Sequence, residues 1–425
     1  MKLRGNRAFA LFWSARTISF TGTGITTVVL PVLVYRLTDS PGWVASLSVV
    51  QAVPYLALGL LAGAMADRID RKKIMVGCDA IAAILLAAVP AAAALHHLVL
   101  AQLLVVALGV ATAFVWFDAA NFGSLPALVD RAQLTVAASL VDLSDSSAML
   151  IAPTLGAALL AVMRPAYALG FDALSYLVSA VLLASIRRPF GRPRPERERR
   201  GRIGADIAEG LRFLWHQPVI RTLTLSVFCV CLSWGGTFGL LVVYASRGLH
   251  LGGAGLRLGL LYSVGELGGL LSAVALPVLI KRLPAGRMMV AFMVADIAGL
   301  VFMAVAPSFG WALLAFFVYE LSYVTVITAG IMVRQLLTPD HLQARVNTTG
   351  RMIAWGGSPV GAAIGGVLAT FLSIRLAFGL LAIGSVAGAV LAGWACLGSG
   401  ALAQVSLAAP DSTMAGTSCA GHSTD

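Results

Sequence analysis

Charge is what this sequence lacks. Of its 425 residues only 12% are Asp, Glu, Lys or Arg, and the acidic ones number 19; a soluble globular chain carries about a quarter. Hydrophobic residues make up 59%, and the mean hydropathy is +0.89. A water-soluble fold is excluded, and the chain reads as an integral membrane protein. Cysteine is scarce as well: Cys78, Cys229, Cys231, Cys396 and Cys419. The first four lie in or beside apolar runs as small fillers. Cys229 and Cys231 are too close and too isolated for a metal site, and nothing suggests a disulfide framework. No G-x-x-x-x-G-K-[ST] phosphate loop is present, which argues against ATP hydrolysis within this chain. With no hydrolase triad or metal cluster either, the chain reads as a non-enzyme without a cofactor.

Long apolar runs fill the rest. They predict membrane-spanning helices near 8–36, 43–66, 74–95, 99–123, 136–162, 166–187, 220–246, 255–280, 288–306, 310–334, 346–371 and 375–397. At this length only helices satisfy their backbone hydrogen bonds in lipid, and twelve spans of roughly 20–25 residues use about 240–300 positions. Lys2, Arg4 and Arg7 precede an apolar run that continues to Val34, far longer than the roughly 7–15 residues of a signal-peptide core. It reads as a retained first span.

The charge that is present is uneven. Net charge is +11, from 30 Lys and Arg. Arg36, Arg164, Arg247, Arg257 and Arg375 fall at one side and Arg16 inside a span, leaving 24 in the N-terminus, alternate loops and the central loop. That is the positive-inside pattern, not a nucleic-acid surface. It places both termini in the cytoplasm of a cell (inner) membrane protein. Residues 187–202 carry eight Arg and two Glu and read as a linker. An amphipathic helix follows, with Ile203, Ile207, Leu211 and Leu214 on one face, suited to the inner leaflet. The predicted organisation is a six-helix half over 1–187, a linker over 188–219, a second six-helix half over 220–397 and a disordered tail over 398–425.

Six of the seven residues from Asp67 to Lys73 are charged, between two apolar runs. Such a cluster belongs in water, in a tight cytoplasmic turn. The halves also repeat: Pro153, before Gly156 and Ala157, recurs 206 residues later as Pro359, before Gly361 and Ala362. Each copy follows a loop carrying proline and charge (Pro126 with Asp130; Pro339 with Asp340). Parallel six-helix repeats are a transporter architecture with its site between the halves near the midplane.

These residues resemble the major facilitator superfamily. Gly63, Asp67, Arg68, Arg71 and Lys72 match its loop signature between helices two and three. Pro153 and Gly156 are similar to its helix-five motif of antiporters and exporters, with alanines where that pattern prefers glycine. Within the superfamily the chain looks most like the enterobactin-exporter and macrolide-efflux group over about 7–397. Leu30-Pro31, Phe117-Asp118-Ala119, Phe171–Tyr176 and Gly210–Leu214 carry that likeness. Many relatives have Asp after the glycine of helix one; here Thr23 follows Gly22. The resemblance implies an all-α membrane protein of twelve helices in two pseudo-repeated halves. It implies a secondary transporter that exports a siderophore, drug or other hydrophobic metabolite by proton antiport with alternating access. A proton-linked importer on the same fold is the first alternative, a lipid flippase or membrane enzyme the second. Expected partners are the small-molecule substrate, the proton gradient and membrane lipids; the chain is expected to be a monomer and to bind no nucleic acid.

Charged groups inside a span are functional candidates. At 1.5 Å per residue, Asp145, Glu266, Asp296 and Glu320 lie roughly 12–16 Å into their helices. Asp79, Asp118 and Asp142 fall nearer the cytoplasmic surface and Asp172 nearer the external one. Family geometry places helices one, four, seven and ten around the cavity, which makes Glu320 the first candidate for proton coupling, ahead of Glu266, Asp296 and Asp145. The bland alternative is a carboxylate serving as structural glue between helices. Arg16, about 10–12 Å into helix one, is expected to meet an acidic substrate or cavity carboxylate, or to snorkel to the surface. Thr23, Trp234 and Tyr323 are assigned to the substrate cavity, and Trp116, Tyr262, Tyr319 and Trp355 are further aromatic candidates. Asp67 and Arg68 are expected to latch the cytoplasmic gate near Arg351. Gly63, Arg71, Pro153, Gly156 and Pro359 complete the gating set, with Arg71 to Lys73 chiefly fixing orientation.

Overall fold

The computed structural model describes residues 5–66, 69–130, 133–190, 203–251, 255–339 and 342–399. Twelve helices among them are long and apolar enough to cross a membrane. They are α1 (Arg7–Thr38), α2 (Pro41–Ala66), α3 (Arg71–Ala94), α4 (Leu100–Phe122), α5 (Leu134–Val162), α6 (Pro165–Ser185), α7 (Pro218–Gly239), α8 (Leu256–Arg282), α9 (Ala285–Val305), α10 (Phe309–Leu337), α11 (Gln343–Trp355 and Gly357–Phe371) and α12 (Ile374–Ser399). A linker helix, Ile203–His216, joins the two sets of six.

The helix ends follow local chemistry. Asn6 caps α1, its side chain accepting from Phe9 N at 3.2 Å, and Asp70 caps α3, accepting from Lys72 N at 2.9 Å. Such caps satisfy amide donors that have no partner within the helix. At its far end α7 passes through Leu241–Val243 into a single π-helical turn, Tyr244–Gly248. The continuous apolar run read as 220–246 therefore contains a change of winding. Likewise α11 breaks at Gly356, where a single span was expected.

Hydrophobic transfer does not hold helices together in lipid; close packing and polar links do. The proline–glycine repeat is such a packing joint. A Cβ on Gly156 of α5 would stand 3.0 Å from the carbonyl of Ile25 in α1, and one on Gly361 of α11 would collide with the carbonyl of Leu232 in α7. The two sequence copies thus make the same joint, once in each half.

Call the end with the N-terminus and the 66–71 turn the basic end. The halves share one apolar core toward the opposite, far end: Val28 to Val34, Val44 and Ala45 from the first half pack with Leu240 to Ala245, Leu258 and Ala369 from the second. At the basic end each half has its own core, around Phe9, Phe12 and Met75 in one and Met288, Met289 and Val333 in the other.

The linker helix docks on the second half. Leu214 is buried with Ile220, Leu342 and Val346, and Glu209 pairs with Arg345 at the start of α11. Leu211 is exposed, so the expected single apolar face is divided, one part buried in protein. The side chains of Ile203 and Ile207, and the tail from residue 400, lie outside the described residues.

Candidate functional site

Between the halves lies a cavity of ≈ 680 Å³. The expected helices α1, α4, α7 and α10 line it, and so do α2, α6, α8 and α11, through Gln51 and Tyr55, Asp172 and Tyr176, Tyr262, and Trp355. Thr23, Trp234, Tyr323 and Pro359 all stand on its wall.

An aromatic wall dominates the second half's side. Phe238 stacks on Trp234 at 4.7 Å between ring centroids, and Trp234 on Tyr323 at 5.0 Å with planes 6° apart. Tyr262 meets Phe238 edge-on at 5.5 Å. Such pairs contribute about 0.5–1.5 kcal/mol each beyond burial, and together they form an apolar aromatic stack on the cavity wall. Of the other aromatic candidates, Trp355 stands on the wall, whereas Tyr319 is fully buried and Trp116 does not line the cavity.

Glu320 lies directly behind this wall and is 8% exposed. The Trp234 indole Nε1 donates to its Oε1 at 2.9 Å. Space for it comes from α8, where a Cβ on Gly265 would be 3.1 Å from Glu320 Cγ and one on Gly268 3.5 Å from its Cβ. Glu266 of the same helix is half-buried and within electrostatic reach of Glu320. Asp296 is fully enclosed inside the second half, away from the cavity wall, with Ser385 beside it.

Asp145 has a dedicated partner. Arg16 Nη2 donates to its Oδ2 at 2.6 Å, and the guanidinium lies over the rings of Phe20, at 4.6 Å, and Phe117, at 5.7 Å. Arg16 is buried and does not line the cavity. Of the partners expected for Arg16, the structure shows a carboxylate, in an ion pair between α1 and α5 with two rings over the guanidinium.

Depth along a helix does not report how a side chain is enclosed. Asp79 and Asp172 are each 1% exposed. Asp172 lines the cavity and accepts from Thr26 Oγ1 at 2.5 Å and Ser175 Oγ at 3.0 Å; Asp79 accepts from Ser179 Oγ at 2.6 Å. Tyr176 and Thr23 share a hydroxyl–hydroxyl bond of 3.0 Å beside them. Gly22 admits this group, since any Cβ there would collide with Asp172 and Ser175. The Ser and Thr spacing on α6 and α1 was the available signal for these polar seams.

Asp67 and Arg68 lie outside the described residues, and Gly63 lies in the last turn of α2. The basic residues after them staple the first half. Arg71 Nη1 donates to Gly123 O at 2.6 Å, and Lys72 Nζ donates to Ala184 O at 2.8 Å and Ile186 O at 2.6 Å. A cation on the last carbonyls of α6 complements that helix's dipole, so the cluster does more than orient the chain. Arg351 reaches across the halves toward Tyr55 OH, at 3.4 Å, and lies 5.0 Å from the Trp355 ring centroid. Pro153 sits where α5 meets α8, its carbonyl 2.9 Å from a Cβ placed on Gly259. Nearby, Thr154 and Ser263 join the halves by a 2.8 Å hydroxyl bond. The far end is closed by a link the sequence did not suggest: Arg247 donates to Tyr35 OH at 2.7 Å, Asp39 O at 2.8 Å and Asp39 Oδ1 at 3.2 Å.

Comparison with known proteins agrees with this architecture. The family model for the Major Facilitator Superfamily matches residues 12–358. The chain is 25% identical over 397 residues to the multidrug efflux pump Tap of Mycolicibacterium fortuitum, covering 90% of this chain and 95% of that one. It is 26% identical over 398 residues to the enterobactin exporter EntS of Salmonella typhi, covering 90% and 92%. Among solved structures, the nucleoside transporter NupG superposes with a TM-score of 0.76 at 13% identity, over 91% of this chain and 98% of that one. A bacterial homologue of the iron transporter ferroportin, in an inward-facing state, gives 0.73 at 16% identity, over 93% and 100%.

Proposed function

The chain belongs to the major facilitator superfamily and is a multi-pass membrane transporter, and from that premise we propose that it exports a small, largely apolar molecule in exchange for protons. The observation that carries this reading is the Trp234–Glu320 bond. One indole both lines the cavity, stacked on Phe238 and Tyr323, and gives its N–H to a buried carboxylate. A substrate packed against the Phe238–Trp234–Tyr323 stack therefore bears on the group that binds the proton. A carboxylate held away from water is able to take up and release a proton near neutral pH, as antiport requires. Glu266, on the helix that packs against Glu320 through Gly265 and Gly268, serves as its partner in this reading.

Export is supported by Tap and EntS, both named for efflux. Siderophores, drugs and other hydrophobic metabolites fit the aromatic wall. With the basic end in the cytoplasm, as the placement of Lys and Arg favours, separate cores there and a shared core at the far end describe an inward-facing state. Alternating access then requires the far-end core to part as the basic end closes, with the Gly156 and Gly361 joints keeping each half rigid.

The test uses inverted membrane vesicles with candidate compounds supplied in the outside medium. ATP-independent uptake that a protonophore abolishes supports proton antiport. Concentrative uptake that persists with every ion gradient collapsed sinks it. Glu320→Gln is expected to lose gradient-driven uptake while substrate exchange across the membrane continues.

A further inference from the structure

At the basic end a second cleft, of ≈ 710 Å³, opens between the start of α1 and the end of α6. Three arginines line it: Arg7 in the first turn of α1, and Arg187 and Arg188 just past α6. Asn6, Leu11 and Ser185 line it too, and among the described residues no carboxylate does. Elsewhere arginines are paired with acids, Arg16 with Asp145, Arg247 with Asp39 and Arg345 with Glu209. Arg7, Arg187 and Arg188 are exposed, and among the described residues none of them has an ion pair or a hydrogen bond.

These cations are fixed in place. Ile186 and Phe190, on either side of Arg187 and Arg188, are both buried, and the Phe190 ring meets Phe12 of α1 edge-on at 6.0 Å. The backbone adds to their field. The N-terminus of α1 forms part of the cleft, with no acidic residue in its first turn, so the positive end of its dipole is unopposed. The last carbonyls of α6 would repel an anion, but Lys72 Nζ already donates to those of Ala184 and Ile186. Residues 191–202 add six Arg and two Glu to the sequence, too little acid to neutralise the cleft.

The surroundings decide which anion fits. The outward face of α6 carries Leu174, Leu177 and Val181, each more than half exposed, and the same stripe ends at Ser185 in the cleft. Leu174 to Ser185 is about 16 Å of helix, an apolar track running into a cationic pocket. A soluble anion would use the pocket alone, whereas a phospholipid uses both. We propose that the Arg7–Arg187–Arg188 cleft binds the phosphate headgroup of an anionic phospholipid from the leaflet at the basic end, with the acyl chains lying along α6. Arginine suits the task because its planar fork meets phosphate oxygens two at a time, and basic pockets at the cytoplasmic ends of spanning helices take such headgroups. The cleft shares no residue with the cavity between the halves, so the site does not depend on the export reading.

The experiment follows thermal unfolding of the full-length protein in neutral detergent as phosphatidylglycerol or phosphatidylcholine is added. Phosphatidylglycerol is expected to raise the midpoint saturably above the phosphatidylcholine baseline, as for any ligand that binds the folded state alone. Arg7→Gln, Arg187→Gln and Arg188→Gln are each expected to raise the half-saturating lipid concentration about fivefold, and the triple variant to lose the saturable rise. Because these side chains hold nothing within the described fold, the triple variant is expected to keep the wild-type midpoint in phosphatidylcholine, which separates lost binding from lost folding. Arg287→Gln, an exposed arginine at the same end of the second half, is expected to leave the rise intact. A loss there equal to that in the triple variant would reduce the effect to general surface charge and overturn the site. Equal midpoints in the two lipids would overturn it, as would an undiminished rise in the triple variant. The same rise from inorganic phosphate without lipid would assign the cleft to a free anion, which also overturns it.

Discussion

Trp234 and Glu320, 86 residues apart in sequence, form a single unit: the indole N–H is spent on the carboxylate, and the ring, stacked on Phe238 and Tyr323, lines the cavity. The two properties of the ring are separable by mutation. Trp234→Ala removes the ring shared by the Phe238 and Tyr323 pairs, and the loss of about 1 kcal/mol per aromatic pair is expected to loosen the wall and weaken substrate binding several-fold or more, read by equilibrium binding. Trp234→Phe keeps a ring and removes the donor. Its binding is expected to stay near wild type while proton-driven uptake falls. Equal losses in binding and uptake would show that the donor has no separate role.

The glycine joints predict asymmetric costs for one added methyl group. Gly361→Ala places a Cβ into the carbonyl of Leu232, and overpacking of this kind costs about 1–3 kcal/mol or more. Gly77→Ala on α3 meets nothing within 4 Å and is expected to be neutral or to stabilise by about 0.4–1 kcal/mol. Thermal unfolding of the two purified variants measures the contrast.

Lys72→Ala leaves the carbonyls of Ala184 and Ile186 without their cation. A loss of about 1–3 kcal/mol in stability is expected from two charge-assisted bonds, with topology unchanged. A variant as stable as wild type would return this lysine to a purely orienting role.

At the far end the Arg247–Asp39 pair is largely exposed, so it contributes at most about 1 kcal/mol. Arg247→Ala is expected to raise labelling of a cysteine introduced at Thr27, in the cavity wall, by a water-soluble thiol reagent applied from that side. The increase is expected to be modest, up to about fivefold, and smaller in high salt. Labelling that stays at the wild-type rate would mean that the shared apolar core alone closes this end.

Spans were legible because apolar runs and charged turns set their ends. The run read as 74–95 is Arg71–Ala94, and that read as 99–123 is Leu100–Phe122. Trp234 and Tyr323 were singled out as large aromatics within spans, a property shared by Tyr319 and Trp116, which do not line the cavity. What escaped was partnership. Depth along a helix says how far a charge is from water in one dimension only. Asp172, 7 residues into α6, reads as near the surface, yet the missing side chain of Gly22 lets α1 close over it. Arg16 looks free to snorkel until Asp145, 129 residues away, is placed beside it. The break in α7 escaped because apolar composition does not change across it; in α11 the polar segment Gln343–Trp355 leads straight into the apolar Gly357–Phe371, and the two read as one span.

The matching joints, Gly156 on Ile25 and Gly361 on Leu232, bear on ancestry. A contact made identically in both copies is most simply inherited from a single six-helix precursor that already possessed it. The aromatic wall and Glu320 in one half, and the hydroxyl-bound acids Asp79 and Asp172 in the other, then record divergence after duplication: one scaffold, two specialised descendants within one chain.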